Sequence, residues 1–419
     1  HLPEHRGFEE TFIHGGGGIG QMEDYYGNDH LDDSYWHNGN VVKTAGFSSD
    51  VLFDHAMAFI DKHQKKPFFC FVSTPATHKP WKSHPEVAKR ITERDGNVKD
   101  LSLLSMIENI DDNVGRALKQ LDELGLSDKT LVIFATDQGM RNRGAPANSP
   151  ENPRSKSFDE RHHVFCMMRY PPVTQSPRRN DALTGMVDMA PTILDLCELP
   201  IPQNLDGRSL KPLLAGKARW SDDRELIVQC PRSRERKKWN NTVVKTQRWR
   251  LIDGDKLYDL ENGDAEVSSS HPEVLTQLNA SYDAFWNSLP EPQEILSRHL
   301  LGIEDTRLNG MDWYQGASPW GGGHMNRKSS GIWAVEVAKD ARYRFELRRY
   351  PREASKAIGA SQAALKIGDR TAQTDLSLTD DQAVIELNLE AGSYDLEATF
   401  SDTDDATWGA YFLYVSMAE

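Results

Sequence analysis

The sequence is short of cysteine, of long apolar runs and of positive charge, and each shortage removes a class of protein. Its four cysteines, Cys70, Cys166, Cys197 and Cys230, lie far apart with no Cys-x-x-Cys pair among them. Neither a disulfide scaffold nor a cysteine-based zinc site is signalled. Cys70 and Cys166 sit in apolar runs and are expected in the core. No stretch reaches the ~18 consecutive apolar residues of a membrane helix, so no membrane span is expected. Lys and Arg number 49 against 63 Asp and Glu, a net charge of −14, which argues against nucleic acid as a partner. The same field repels a polyanion at long range, so an anion site here must be a local cationic pocket.

What remains suits a globular chain of 419 residues, 38% hydrophobic and 27% charged, long enough for two or three domains. In the first half, helix and strand patterns alternate. Leu52, Ala56, Phe59 and Ile60 follow the capping residues Ser48, Ser49 and Asp50 at helical spacing. Leu103, Ile107, Ile110, Val114, Leu118 and Leu121 predict an amphipathic helix that Gly125 ends. A third helix is expected over 188–197, with Pro191 in its first turn. The apolar runs 67–74, 130–136 and 164–168 read as buried strands. Buried strands alternating with helices imply an α/β fold, a mostly parallel sheet flanked by helices, over 1–222. Short strand patterns and a helix over 271–289 imply a small α+β subdomain over 223–300. A Gly-, Trp- and Asn-rich stretch, 301–330, reads as a linker. Period-two alternation over 331–419 predicts a C-terminal β-sandwich.

Ligands of α/β folds gather beyond the carboxyl ends of strands. His78 follows the first predicted strand and Asp137-Gln138-Gly139 follows the second. A carboxylate beside an amide offers two hard oxygens to Ca²⁺, although an Asp-Gln-Gly turn or a surface histidine alone carries no such meaning.

Taken with their neighbours, these residues resemble the sulfatase family. Arg6-Gly7-Phe8-Glu9, His78 with Pro80, Asp112 with Val114-Gly115 and Leu118, Leu126 to Gly139, Asp188-Met189-Ala190-Pro191-Thr192, Asp206-Gly207-Arg208-Ser209-Leu210 and Leu257-Tyr258-Asp259-Leu260 occur in the family's order. The resemblance implies an alkaline-phosphatase-like fold and a sulfuric ester hydrolase of arylsulfatase type. Its substrate would be a sulfated saccharide or an aryl sulfate. It also implies Ca²⁺ on Asp137 and Gln138, where Gln138 stands in place of the family's usual Asn. His78 would be the catalytic acid, and a cation would hold the sulfate. That cation is Lys156, or Arg154 by the family's usual spacing, and the two bind a tetrahedral anion differently. His163 falls where the family often has Arg, and His14 flanks a glycine-rich loop, Gly15 to Gly20, so both are candidate substrate contacts. The loop also carries a formal G-x-G-x-x-G, but no strand precedes it, which disfavours a dinucleotide site.

The family's nucleophile, a formylglycine made from Cys or Ser in C/S-x-P/A-x-R, has no counterpart. Cys230-Pro231-Arg232-Ser233-Arg234 has Arg where Pro or Ala belongs. The expectation is an enzyme whose nucleophile-bearing N-terminal segment, with any signal for a periplasmic or secreted location, lies outside this sequence. These 419 residues alone are then inactive. Two alternatives stand beside it: a non-catalytic remnant that binds sulfated glycans, and a phosphoesterase of the same superfamily.

Overall fold

The computed structural model describes residues 3–139, 163–174, 177–217, 224–229, 237–262, 265–291, 296–316, 319, 325, 329–404 and 406–418. They form two compact units, one of His1–Leu124 with Leu296–Glu419, the other of Gly125–Ile295.

The first unit begins with an antiparallel sheet of β1 (Phe12–Ile13), β2 (Ser34–His37) and β3 (Asn40–Lys43). Asn38 and Gly39 link β2 to β3 at φ 49° and 79°, the two positive values a type I′ hairpin needs. Asn38 Oδ1 also accepts the Thr11 N–H at 2.8 Å, tying in the chain before β1. The expected helices follow as α1 (Ser48–His63) and α3 (Leu101–Glu123), with α2 (Pro85–Asp95) between them. α2 escapes a periodicity search because it buries only Val87 and Ile91. Its cap is His84, whose Nδ1 accepts the Val87 N–H while Nε2 donates to Asp50 at 2.9 Å. Asp50 also accepts from Asn109 and Asn113 at 2.7 Å each, so one carboxylate joins α1, α3 and the cap of α2. Burial opposes ionisation of Asp50, but these three donors outweigh it and hold the carboxyl below its ordinary value.

In the second unit, β4 (Val132–Ala135) pairs antiparallel with β5 (Cys166–Arg169). α4 (Met189–Leu196) and α5 (Lys211–Leu214) follow. β6 (Leu226–Gln229), β7 (Thr242–Lys245), β8 (Trp249–Ile252), β9 (Lys256–Asp259) and β10 (Ala265–Glu266) form an antiparallel sheet in sequence order. α6 (Pro272–Ser288) packs Leu278 and Tyr282 against Val244, Leu251 and Leu257.

The expectation of a mostly parallel sheet over 1–222 is not met among the described residues, where each ladder in that range is antiparallel. Residues 67–74 form no ladder, and Phe69 and Phe71 are 58% and 70% exposed. Apolar residues on both faces mark a run suited to double burial, but a ladder requires a second strand alongside. Cys166, expected in the core, is exposed on β5 for the same reason, next to exposed Phe165 and Met167.

The rest of the first unit is β. One sheet runs in the order β11 (His299–Leu301), β14 (Gly331–Val337), β19 (Gly392–Ser401), β16 (Gln362–Ile367) and β17 (Arg370–Asp375). β13 (Gln315–Gly316) joins β14, and β20 (Thr407–Gly409) joins β19. A second sheet runs β12 (Thr306–Asn309), β21 (Phe412–Met417), β15 (Ala341–Arg348) and β18 (Ala383–Leu389). Inward residues alternate with outward ones, as in β18, and Trp333, Val335, Phe345, Leu365, Leu396, Phe400 and Leu413 meet in one core. Met22, from the loop before β2, is buried in that same core.

Candidate functional site

In the first unit the candidate residues gather around residues 14–30. The Asp24 carboxylate organises the glycine-rich loop. It accepts the N–H groups of Gly15 at 3.3 Å, Gly20 at 2.9 Å and Tyr25 at 2.9 Å, and Asn28 Nδ2 at 3.0 Å. Burial pushes its carboxyl above the ordinary range, and these donors and His14 act against that rise. His14 lies in the same buried setting, which lowers its pKa and favours the neutral ring despite Asp24. Ile19 and Met22 are 1% and 2% exposed, so the loop is pinned by its apolar side chains as well.

His78 stands against this loop. A Cβ on Gly18 would lie 3.0 Å from His78 Nδ1, so glycine there lets the loop lie against the imidazole without shifting it. Nδ1 lies 2.7 Å from the Lys79 carbonyl oxygen. A carbonyl only accepts, so this bond puts a proton on Nδ1 and leaves Nε2 to exchange one with a substrate. The His78 side chain is solvent-accessible.

His30 and Asp33, polar neighbours of the loop, are buried scaffold. His30 Nδ1 is 2.8 Å from Ser48 Oγ, and burial pushes its pKa down to about 4. Asp33 accepts the Asp29 and His30 N–H groups at 2.8 and 2.9 Å.

In the second unit Asp137 and Gln138 follow β4 and are both exposed. Asp137 Oδ1 accepts the Gln138 N–H at 2.8 Å, which fixes the turn. Cys166 pairs with Ala135 in antiparallel register, so the chain entering β5 brings exposed His163 to the same strand end. Arg154 and Lys156 lie outside the described residues, as does Cys230. Among the described residues no three His, Cys, Asp or Glu side chains cluster closely enough to hold a metal ion. Asp137 and Gln138 match the hard-oxygen preference of Ca²⁺ and would furnish two of the six to eight ligands it takes.

Other predicted motifs turn out to be structural. Asp188 is wholly buried; it accepts the N–H groups of Gly185 and Arg208 at 2.9 and 2.8 Å and pairs with Arg224 at 2.5 Å. Thr192 Oγ1 donates to the Asp188 carbonyl and accepts the Leu210 N–H. The Asp188-to-Thr192 and Asp206-to-Leu210 segments are thus one interlocked joint.

Residues 4–199 match the Sulfatase family model, and 155–280 match the model of the N-sulphoglucosamine sulphohydrolase C-terminal region. The chain belongs to the sulfatase family. It is 26% identical to steryl-sulfatase of Mus musculus over 319 residues, 65% of this chain and 48% of that protein. It is 26% identical to N-acetylgalactosamine-6-O-sulfatase of Bacteroides thetaiotaomicron over 271 residues, 55% of this chain and 49% of that protein. The chain therefore spans about half the length of these sulfatases. The crystal structure of Ps i-CgsB superposes with a TM-score of 0.58 at 22% identity, covering 70% of this chain and 69% of that one. At that identity the likeness shows a shared fold, of the α/β class with mixed sheets and helices. No helix among the described residues is long and apolar enough to cross a membrane.

Sequence reasoning weighed the glycine-rich loop but missed Gln21, whose amide lies beside Gly17 and Gly18. The only signal was its place at the end of the glycine run.

Proposed function

We propose that this sulfatase-family chain is the larger part of a calcium-dependent sulfuric ester hydrolase. Its substrate would be a sulfated saccharide or aryl sulfate, and its setting periplasmic or secreted. The observation that carries the reading is His78, held through Nδ1 on the Lys79 carbonyl with Nε2 available to a ligand. In its protonated form His78 donates the Nε2 proton to the ester oxygen as the S–O bond breaks, and the leaving group departs as a neutral alcohol. The Nδ1–H bond to Lys79 persists through the transfer and keeps the ring oriented. Asp137 and Gln138 would hold Ca²⁺, which when bound draws charge from the sulfate oxygens. Lys156 or Arg154 would supply fixed positive charge to the same anion, and His163 and His14 further substrate contacts.

None of the 419 residues fits the formylglycine motif, so in this proposal the nucleophile comes from elsewhere in the gene product and no step is derived through it. In finer detail the proposed architecture is an alkaline-phosphatase-like core over 1–222. A small α+β part over 223–300, a linker over 301–330 and a β-sandwich over 331–419 complete it. The two-faced apolarity of 67–74 supports the first element, and the core shared by two sheets supports the last.

The test is sulfate release from an aryl sulfate and a sulfated saccharide by the full gene product. Turnover that EGTA abolishes is expected, with none from the 419 residues alone. Failure of the full product on every sulfate ester would sink the reading. Calcium-independent binding of sulfated glycans without turnover would favour the non-catalytic alternative, and release of phosphate from phosphoesters instead would favour the phosphoesterase.

A further inference from the structure

The loop that presses on His78 presents a second polar group at the same place. Gln21 follows buried Ile19 and precedes buried Met22, so its backbone is fixed on both sides. Its N–H donates to the Gly18 carbonyl at 3.2 Å, and its carbonyl accepts the Asp24 N–H at 3.1 Å. That turn folds the Gln21 side chain back over the glycines. A Cβ on Gly17 would lie 3.1 Å from Gln21 Oε1, and one on Gly18 would lie 3.1 Å from Gln21 Nε2 and 3.0 Å from His78 Nδ1. The carboxamide and the imidazole therefore both border the space that a Gly18 side chain would fill. No hydrogen bond forms at the Gln21 carboxamide among the described residues, and the side chain is only partly buried. A group with one acceptor and two donors, held by a pinned turn and with no hydrogen bond to any described residue, suits a ligand with hydroxyls.

We propose that Gln21 is a specificity-determining contact. It hydrogen-bonds a sugar hydroxyl adjacent to the sulfate ester whose oxygen His78 protonates, and so selects saccharide sulfates over aryl sulfates. This rests on the sulfatase reading above. A neutral amide suits the task in an acidic protein, because it adds no charge to repel the sulfate and matches a hydroxyl as donor or acceptor.

The test compares two substrates on the full gene product: a monosaccharide sulfate with a free hydroxyl next to the ester, and nitrophenyl sulfate, which has none. For Gln21→Ala, kcat/KM on the saccharide is expected to fall about tenfold, the worth of one hydrogen bond. On nitrophenyl sulfate it should change less than twofold, with an unaltered pH profile. The Gln21→Glu variant keeps the shape but adds a negative charge, and should lose more on the saccharide than Gln21→Ala does. Equal losses on both substrates would show that Gln21 only props the loop, and no loss on either would show that it touches nothing; each overturns the proposal. If the unaltered protein hydrolyses neither substrate, the sulfatase reading has failed, an outcome distinct from both.

Discussion

At Gly207 a methyl group would sit 1.8 Å from the Val187 carbonyl oxygen and 3.0 Å from the Asp188 Cα. Backbone cannot yield as a flexible side chain can, so Gly207→Ala must push apart the joint between the chain before α4 and the chain before α5. The expected cost is about 1–3 kcal/mol, read as a lower denaturation midpoint. A midpoint equal to the unaltered protein's would contradict the joint. Asp50 makes a second prediction at this scale. Asp50→Ala strands the donors of Asn109, Asn113 and His84 together, and should destabilise by about 1–3 kcal/mol with lost protection of α2 amides in hydrogen exchange.

Among the elements, legibility followed periodicity. α1, α3 and α4 are visible in the sequence because apolar residues recur at helical spacing, although Ile107 of α3 is 46% exposed. β14, β15, β16, β18, β19 and β21 are visible because apolar and polar residues alternate, whereas β17, mostly polar, and the three-residue β20 carry no such signal. α2 is hidden because two buried residues carry no stripe and its cap is a histidine, an unusual N-cap. The run 67–74 reads as a strand from apolarity that reports two faces suited to burial but not the identity of any neighbour. His78 and Asp137, proposed for catalysis and for calcium, stand out in the sequence by residue type and by position after apolar runs. Gln21 does not, because its role depends on a turn that folds its side chain back over Gly17 and Gly18. The roles of Asp188 and Gly207 were likewise mixed with catalytic motifs in the sequence; only contacts separate a joint from a site.

For the whole molecule, pH and salt are the informative variables. His30 is buried neutral with its pKa pushed from 6.5 to about 4. The stabilisation from keeping it neutral is complete above about pH 6.5 and is lost as pH falls toward 4, because the unfolded chain takes up the proton first. Asp259 works in a lower window. The hydrogen bond from Arg248 is the main cause holding its carboxyl at about 2, against an ordinary 3.8. That stabilisation is present above about pH 4 and is lost as pH falls through 2. Glu346 shares that window: burial opposes its ionisation, but hydrogen bonds from Arg352 and Arg348 hold its carboxyl at about 2. Urea midpoints should therefore drop in both windows, and Asp259→Asn should shrink, not abolish, the drop in the lower one; an unchanged acid limb in that variant would contradict the assignment. The net charge of −14 bears on substrate approach. Raising ionic strength from ~0.01 to ~0.15 M shortens the screening length from ~30 to ~8 Å. It should thereby raise kcat/KM on a polysulfated glycan more than on a monosulfate.

The most direct measurement is single-turnover sulfate release by the full gene product, with calcium varied, in the unaltered protein and in His78→Ala and Asp137→Ala. The account predicts a fall of about 10²–10⁴-fold for His78→Ala, smallest on esters whose leaving group needs no proton, and a raised calcium requirement for Asp137→Ala. Undiminished release by His78→Ala, or an unchanged calcium dependence in Asp137→Ala, would contradict it.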